Sequence, residues 1–193
     1  MNAITQMIMQ QLAGGASHTI AQRLGVSETT ANTAVQVAVP LILTALARNA
    51  SAPQGAESLH EAINNDHNGG IFDNLRGYLG NPQSANGAGI LGHVFGGQRP
   101  AIENNLAQAT GMDQRSAGSL LETLAPVVMG AVGQAQQQNG LDAPGLSNLL
   151  NNQEQQAEAN SPGVMGMLNS MLDQNKDGSA MDDLQRMAGN FFK

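Results

Sequence analysis

Two stretches of the chain repeat one spacing of apolar positions. Residues 20–46 read IAQRLGVSETTANTAVQVAVPLILTAL, and residues 106–132 read LAQATGMDQRSAGSLLETLAPVVMGAV. Val35, Ala38, Ile42 and Leu46 recur at the three-and-four spacing of one helical face, and Leu121, Leu124, Val128 and Val132 do the same. Without gaps, Gly25 falls on Gly111 and Pro40 on Pro126, 86 residues apart. Ala21/Ala107, Gln22/Gln108, Ala31/Ala117 and Ala45/Ala131 coincide at the same shift, which marks an internal duplication. Each copy predicts helix, turn, helix. Glycine is the usual left-handed residue after a helix, and Ser27 and Asp113 stand where an N-cap belongs. Pro40 and Pro126 fall inside the second helices, where a missing N–H and a ring clash predict a kink or a restart.

No run alternates apolar and polar residues over the length of a strand, so the fold class reads as all-α. The pattern divides into a first helical repeat (1–80), a Gly-rich connector with the second repeat (81–152), and a polar linker followed by a helix–loop–helix (153–193). The linker is expected at residues 153–162, QEQQAEANSP, a polar and turn-rich run. Residues 1–9 lack the basic and apolar regions of a secretory signal. The most apolar run, 35–47, is shorter than the ~20 residues of a membrane span. A soluble, cytoplasmic protein with no membrane association is the expectation.

Charge is sparse. Only 12% of the 193 residues are charged, and 23 glycines with many Asn and Gln fill the polar positions. A net charge of −7 with eight scattered basic residues argues against nucleic acid, because phosphate binding needs clustered Lys and Arg. The absence of cysteine excludes thiolate metal sites, disulfides and a Cys nucleophile. The four histidines (18, 60, 67 and 93) form no metal-ligand spacing. Gly87, Gly89 and Gly92 match G-x-G-x-x-G, but no strand precedes them, so close helix packing around small residues is the better reading. No GxSxG elbow or paired carboxylates stand out, and no small-molecule substrate is suggested.

One motif carries chemistry. Asp173-Gln174-Asn175-Lys176-Asp177-Gly178 opens like an EF-hand calcium loop. Side chains at loop positions 1, 3 and 5 turn inward, and glycine at position 6 permits the bend that brings the next carbonyl to the ion. Asp173, Asn175 and Asp177 would supply side-chain oxygens and Ser179 its backbone oxygen. Position 12 is Leu184 instead of the usual Glu, so either the loop is shortened and Asp183, or Asp182, closes the shell, or the site is weak and partly hydrated. Four Asp and one Lys between residues 173 and 183 give −3. Like charges ~5 Å apart repel by about 3 kcal/mol at an effective dielectric of 20, which favours a bound cation. Val164, Leu168 and Leu172 predict an entering helix, and Leu184, Met187 and Phe191 an exiting one. The tail methionines (165, 167, 171, 181 and 187) serve as core filler or as an adaptable groove. A weaker echo, Asn64-Asn65-Asp66-His67-Asn68-Gly69 followed by Asp73-Asn74-Leu75, reads as a degenerate copy of the loop.

The segments AVPLILTALA, LAPVVMGAVG, GILGHVFGG and LDQNKDGSAMDDL together resemble the YidB-like bacterial family, domain-of-unknown-function family 937. The resemblance implies a helical, homeodomain-like fold, often with a D-x-D-x-D-G tail, and no established activity. Its residues map to Gly89, Gly92, Phe95, Gly96, Pro126, Asp173, Asn175, Asp177, Gly178, Asp182 and Asp183, with Asn175 where Asp is common. The expected protein is therefore non-enzymatic: duplicated homeodomain-like helix–turn–helix units with a C-terminal EF-hand-like loop that binds Ca2+. It would act through a protein partner or by self-association as a homo-oligomer. The rival readings are an enzyme with a site between the repeats, built on His93, Glu103 or Glu122, and a DNA-binding regulator by fold analogy.

Overall fold

The computed structural model describes residues 3–13, 15–66 and 70–160, and beyond them residues 166, 169 and 170. Helices and their connecting turns make up all of this. They are α1 (Ala3–Ala13), α2 (Ala16–Leu24), α3 (Glu28–Ala50), α4 (Pro53–Asp66), α5 (Leu75–Gly80), α6 (Gly87–Phe95), α7 (Arg99–Thr110), α8 (Gln114–Asn139) and α9 (Ala143–Asn160). Short 3-10 turns occupy Gly70–Asn74, Pro82–Ala85 and Gly96–Gln98.

The two helix–turn–helix segments match bond by bond at their turns. Gly25 and Gly111 both take the left-handed conformation, with φ of 67° and 71°. The N–H of Val26 donates to the Ala21 carbonyl at 3.1 Å, and that of Met112 to the Ala107 carbonyl at 3.1 Å. These bonds close the helix end in the Schellman manner. Ser27 Oγ then accepts from the Thr30 N–H and Asp113 Oδ1 from the Ser116 N–H, both at 3.0 Å. Each cap satisfies one of the donors that a helix start leaves free. The Ser116 hydroxyl, and then its N–H, hold the Asp113 carboxyl below the usual carboxylate range.

The second helices of the two copies, α3 and α8, pack against each other at the centre. Both are buried well beyond one stripe: Leu41 through Ala47 are all buried in α3, and Leu120, Leu121 and Thr123 through Gly133 in α8. A helix apolar on most sides belongs in a core. α6, α7 and α1 cover α8, while α2, α4 and α9 cover α3. One apolar cluster runs from Ile4 to Leu150 through both repeats. By length and composition α3 and α8 could also each cross a membrane, but 67% and 83% of their most apolar windows are buried inside this bundle.

Both helices continue through their prolines, so of the expected kink or restart, the restart does not occur. Pro126 has no N–H for the carbonyl of Glu122, four residues earlier, and that freed carbonyl becomes a packing surface. Gly87, the first residue of α6, lies against it: a Cβ there would sit 1.9 Å from the Glu122 oxygen. The neighbouring carbonyl of Thr123 accepts a 2.8 Å bond from the Tyr78 hydroxyl. Burial pushes the Tyr78 pKa up, with Arg23 working weakly against it. The connector is thus seated on α8 where proline has opened its hydrogen bonding.

The expected linker is also different. Residues 153–160 belong to α9, because Leu146, Leu150 and Gln153 form a buried stripe at helical spacing, with Ala157 packed against the core. Gln, Glu and Ala are good helix formers once such a stripe has somewhere to dock.

Candidate functional site

The residues proposed to ligate calcium, Asp173, Asn175, Asp177, Ser179, Asp182 and Asp183, lie outside the described residues. What is described is the attachment of the chain just ahead of them. Arg48, in the last turn of α3, has a side chain only 9% exposed. Its Nε donates to Glu154 Oε1 on α9 at 3.3 Å, and its Nη2 to Asn169 Oδ1 at 2.5 Å. Asn169 stands four residues before Asp173. The helix end around Arg48 is itself pinned: the Ser51 hydroxyl donates to the Arg48 carbonyl at 2.6 Å, and the Ser147 hydroxyl to the Ala50 carbonyl at 2.7 Å. A cation in the last turn of a helix also meets the negative end of its dipole. No sequence signal marks Arg48, a lone basic residue in an apolar helix.

The weaker echo at residues 64–75 is not an open loop at either end. Asn64, Asn65 and Asp66 form the last turn of α4, and Asp73 and Asn74 lie in a 3-10 turn. Asn64 Oδ1 accepts from Gln136 Nε2 at 2.9 Å, and Asn74 Oδ1 caps α5 through the Gly77 N–H at 3.1 Å. Two of the oxygens that would face an ion are already engaged; His67, Asn68 and Gly69 lie outside the described residues. Among the described residues no three His, Asp or Glu side chains gather as a metal shell.

Glu103 and Glu122 do converge, but on Arg99. Its Nε donates to Glu103 at 2.6 Å and its Nη2 to Glu122. Partial burial opposes the Arg99 charge, but the bonds to Glu103 and Glu122 outweigh it and its pKa is raised. Gly118 leaves the room that Glu103 occupies, its Cβ position being 3.0 Å from that carboxyl. Two carboxylates held by one guanidinium tie α7 to α8. His93 is exposed and bonds the carbonyl of Gly89, one turn back in its own helix. An open cleft of about 290 Å³ lies elsewhere, beside Gln11, Phe72, Asp73 and Arg76. Of the three glycines of the G-x-G-x-x-G run, only Gly87 meets neighbouring backbone; Gly92 faces open space.

Residues 6–135 match the family model described as "bacterial protein of unknown function (DUF937)". The chain belongs to DUF937. The matched region holds the two helix–turn–helix copies and the connector docked on α8, and it stops before α9 and the acidic loop. No curated protein and no solved structure matches the chain.

Proposed function

We propose that this DUF937 protein is a non-enzymatic, calcium-binding helical scaffold that works by association with a protein partner or with itself, in the cytoplasm. The run from Asp173 to Gly178, with Asp182 and Asp183 behind it, carries the reading, since it supplies alternating oxygen donors and the turn glycine of a hard-cation loop. Asp173, Asn175, Asp177 and the Ser179 carbonyl hold the ion, and Asp182 or Asp183 completes the shell in an EF-hand-like helix–loop–helix. The hold of Arg48 on Asn169 supports this, because it ties the approach to the loop to the core. The matched helix–turn–helix units support a homeodomain-like packing in each repeat, used as scaffold. Their surface is poor in free cations: Arg48 and Arg99 are both paired with carboxylates, and the net charge is −7. A neutral surface rich in Asn, Gln and Gly favours close helix-to-helix association over electrostatic recognition of a polyanion.

Isothermal calorimetry of the full chain with calcium tests the cation half directly. Wild type is expected to give saturable heat, and the double variant Asp173→Ala, Asp177→Ala to give none. Absence of heat in wild type at millimolar calcium, the weak end of natural calcium loops, refutes it.

A further inference from the structure

We infer that the partner is a second molecule of this chain and that α9 is the element exchanged, leaving its own seat to lie on α3 and α4 of the neighbour. The inference rests on the self-association reading above and draws nothing from the calcium loop. α9 packs on α3 and α4, both of the first repeat, although it follows α8 of the second. Its seat there holds Leu146 and Leu150, both buried. The Ser147 hydroxyl donates to the Ala50 carbonyl at 2.7 Å, and Arg48 Nε to Glu154 Oε1 at 3.3 Å. α9 of a second molecule carries the same residues and makes the same contacts in that seat, so exchange forfeits none of them.

The seat holds α9 lightly. Two leucines are fully buried in a helix of 18 residues. A cavity of about 10 Å³, room for one water, remains between Pro40, Leu43 and Thr44 of α3 and the α9 residues Leu150 and Ala157. Elements with few buried apolar contacts are the first to open. The link to α8 suits such opening. Gly140 is left-handed, with φ of 59°, and the Leu141 N–H closes the end of α8 on the Gln136 carbonyl at 3.0 Å. Pro144 has no N–H to give to the Gly140 carbonyl, so α9 stays a separate helix whichever way the link points. α9 therefore swings out as a unit when the turn at Gly140 opens. Exchange between two molecules makes a two-fold dimer, and a link of three residues, at most ~10 Å long, keeps the two α8 ends near its axis. Residues 133–141, GQAQQQNGL, carry no charge, and Asp142 is engaged as a cap that accepts from the Gly145 N–H at 2.9 Å. Two chains of net charge −7 thus meet there with little like charge face to face.

Light scattering on the full chain after size-exclusion chromatography reads the mass, 20.0 kDa for one molecule and twice that for the dimer. Wild type is expected to give a dimer whose share rises with concentration. An alanine at position 140 meets nothing within 4 Å, so Gly140→Ala strains only the left-handed turn and should favour the dimer by about 5-fold or more. Arg48→Glu and Glu154→Arg each set like charges together within one molecule. Refolded together, the two variants are expected to form a heterodimer in which every seat regains an opposite pair, with a Tm above that of either alone. The double variant Arg48→Glu, Glu154→Arg regains the pair within one chain and gives the reference Tm. Wild type that stays monomeric at every concentration overturns the inference and self-association with it, leaving the calcium reading. A dimer that Gly140→Ala does not increase, or a mixture with no heterodimer, overturns the exchange of α9 while self-association stands.

Discussion

Gly87→Ala is the sharpest test of how the connector sits on α8. The added Cβ would lie 1.9 Å from the carbonyl oxygen of Glu122 and 2.7 Å from its carbonyl carbon, both backbone atoms of a buried helix. No rotamer change relieves such a clash. Either α6 lifts off α8 by more than 1 Å, or α8 deforms at Pro126, where its bonding is already incomplete. Lifting α6 loosens the packing of Leu91, Val94 and Phe95, all buried. Overpacking of this kind costs about 1–3 kcal/mol, and the gain from replacing a helical glycine by alanine returns at most about 1 kcal/mol. For a chain of this size 1 kcal/mol moves Tm by roughly 2–4 °C, so a net loss of about 0–3 kcal/mol lowers Tm by up to about 12 °C, and by about 2–12 °C relative to a glycine-to-alanine change that meets no clash. Gly92→Ala is the control, since it lies in the same helix, is exposed, and meets nothing within 4 Å. It should be neutral or raise Tm by up to about 4 °C. Thermal unfolding followed by circular dichroism reads both variants. If Gly87→Ala is as stable as Gly92→Ala, the glycine does not serve the close approach to Glu122.

Tyr78 is the sole tyrosine, so its absorbance reports one site. Its folded pKa is raised above the ordinary tyrosine value of about 10, so the native state keeps its proton where the unfolded chain loses it. Its stabilising contribution is complete below about pH 10 and declines as pH rises toward the folded pKa; Tyr78→Phe should lack this alkaline loss and cost about 1 kcal/mol at pH 7. Ser27→Ala removes the N-cap of α3 and should cost about 1 kcal/mol by chemical denaturation, with unchanged helix content; no loss would mean the cap bond is dispensable. Truncation after residue 142 removes α9 with Leu146 and Leu150, both essentially fully buried, forfeiting about 3–6 kcal/mol of burial. The fragment should show a broad, non-cooperative unfolding transition, and a sharp one at the wild-type Tm would refute the role given to α9.

Much of the architecture was legible because it is periodic. The faces read from Val35, Ala38, Ile42 and Leu46, and from Leu121, Leu124, Val128 and Val132, are all buried. Gly25 and Gly111 end their helices, and Ser27 and Asp113 start the next, as local backbone chemistry requires. The second half of α9 was hidden by its composition, since Gln153 and Ala157 amid Gln and Glu read as a polar linker until α3 is there to receive the stripe they continue. The docking of Tyr78 and Gly87 was hidden by distance along the chain. Proline frees a carbonyl locally, but which segment returns to occupy it depends on tertiary structure. For the candidate site the division is reversed. The proposed ligand pattern of the acidic loop is readable only in the sequence, and the Arg48–Asn169 bond only in the structure, because a single Arg in an apolar run has no pattern to betray it.

The duplication has not produced two independent halves. α9, which follows the second copy, packs on α3 of the first, and Arg48 and Ala50 of the first copy are held by Glu154 and Ser147 of α9. The first copy is followed instead by Pro53 and α4. The carbonyl of Asn49, four residues before Pro53, lies 1.8 Å from where a Cβ of Gly55 would stand. A glycine set against a helix carbonyl therefore occurs twice, at Glu122 with Gly87, where Pro126 frees the carbonyl, and at Asn49 with Gly55, where the end of α3 leaves it open. In a protein with one tyrosine, four phenylalanines and no tryptophan, aliphatic side chains do most of the filling, and at these two points the backbones themselves come close. Such contacts tolerate almost no added volume, because backbone atoms have no rotamers with which to yield. The DUF937 match covers the Glu122–Gly87 contact and the Asn49–Gly55 contact, but not α9, which buries part of α3. α9, from the C-terminal third of the chain, is thus part of the packing around α3 in the first third, and a change in α9 bears directly on the centre of the molecule.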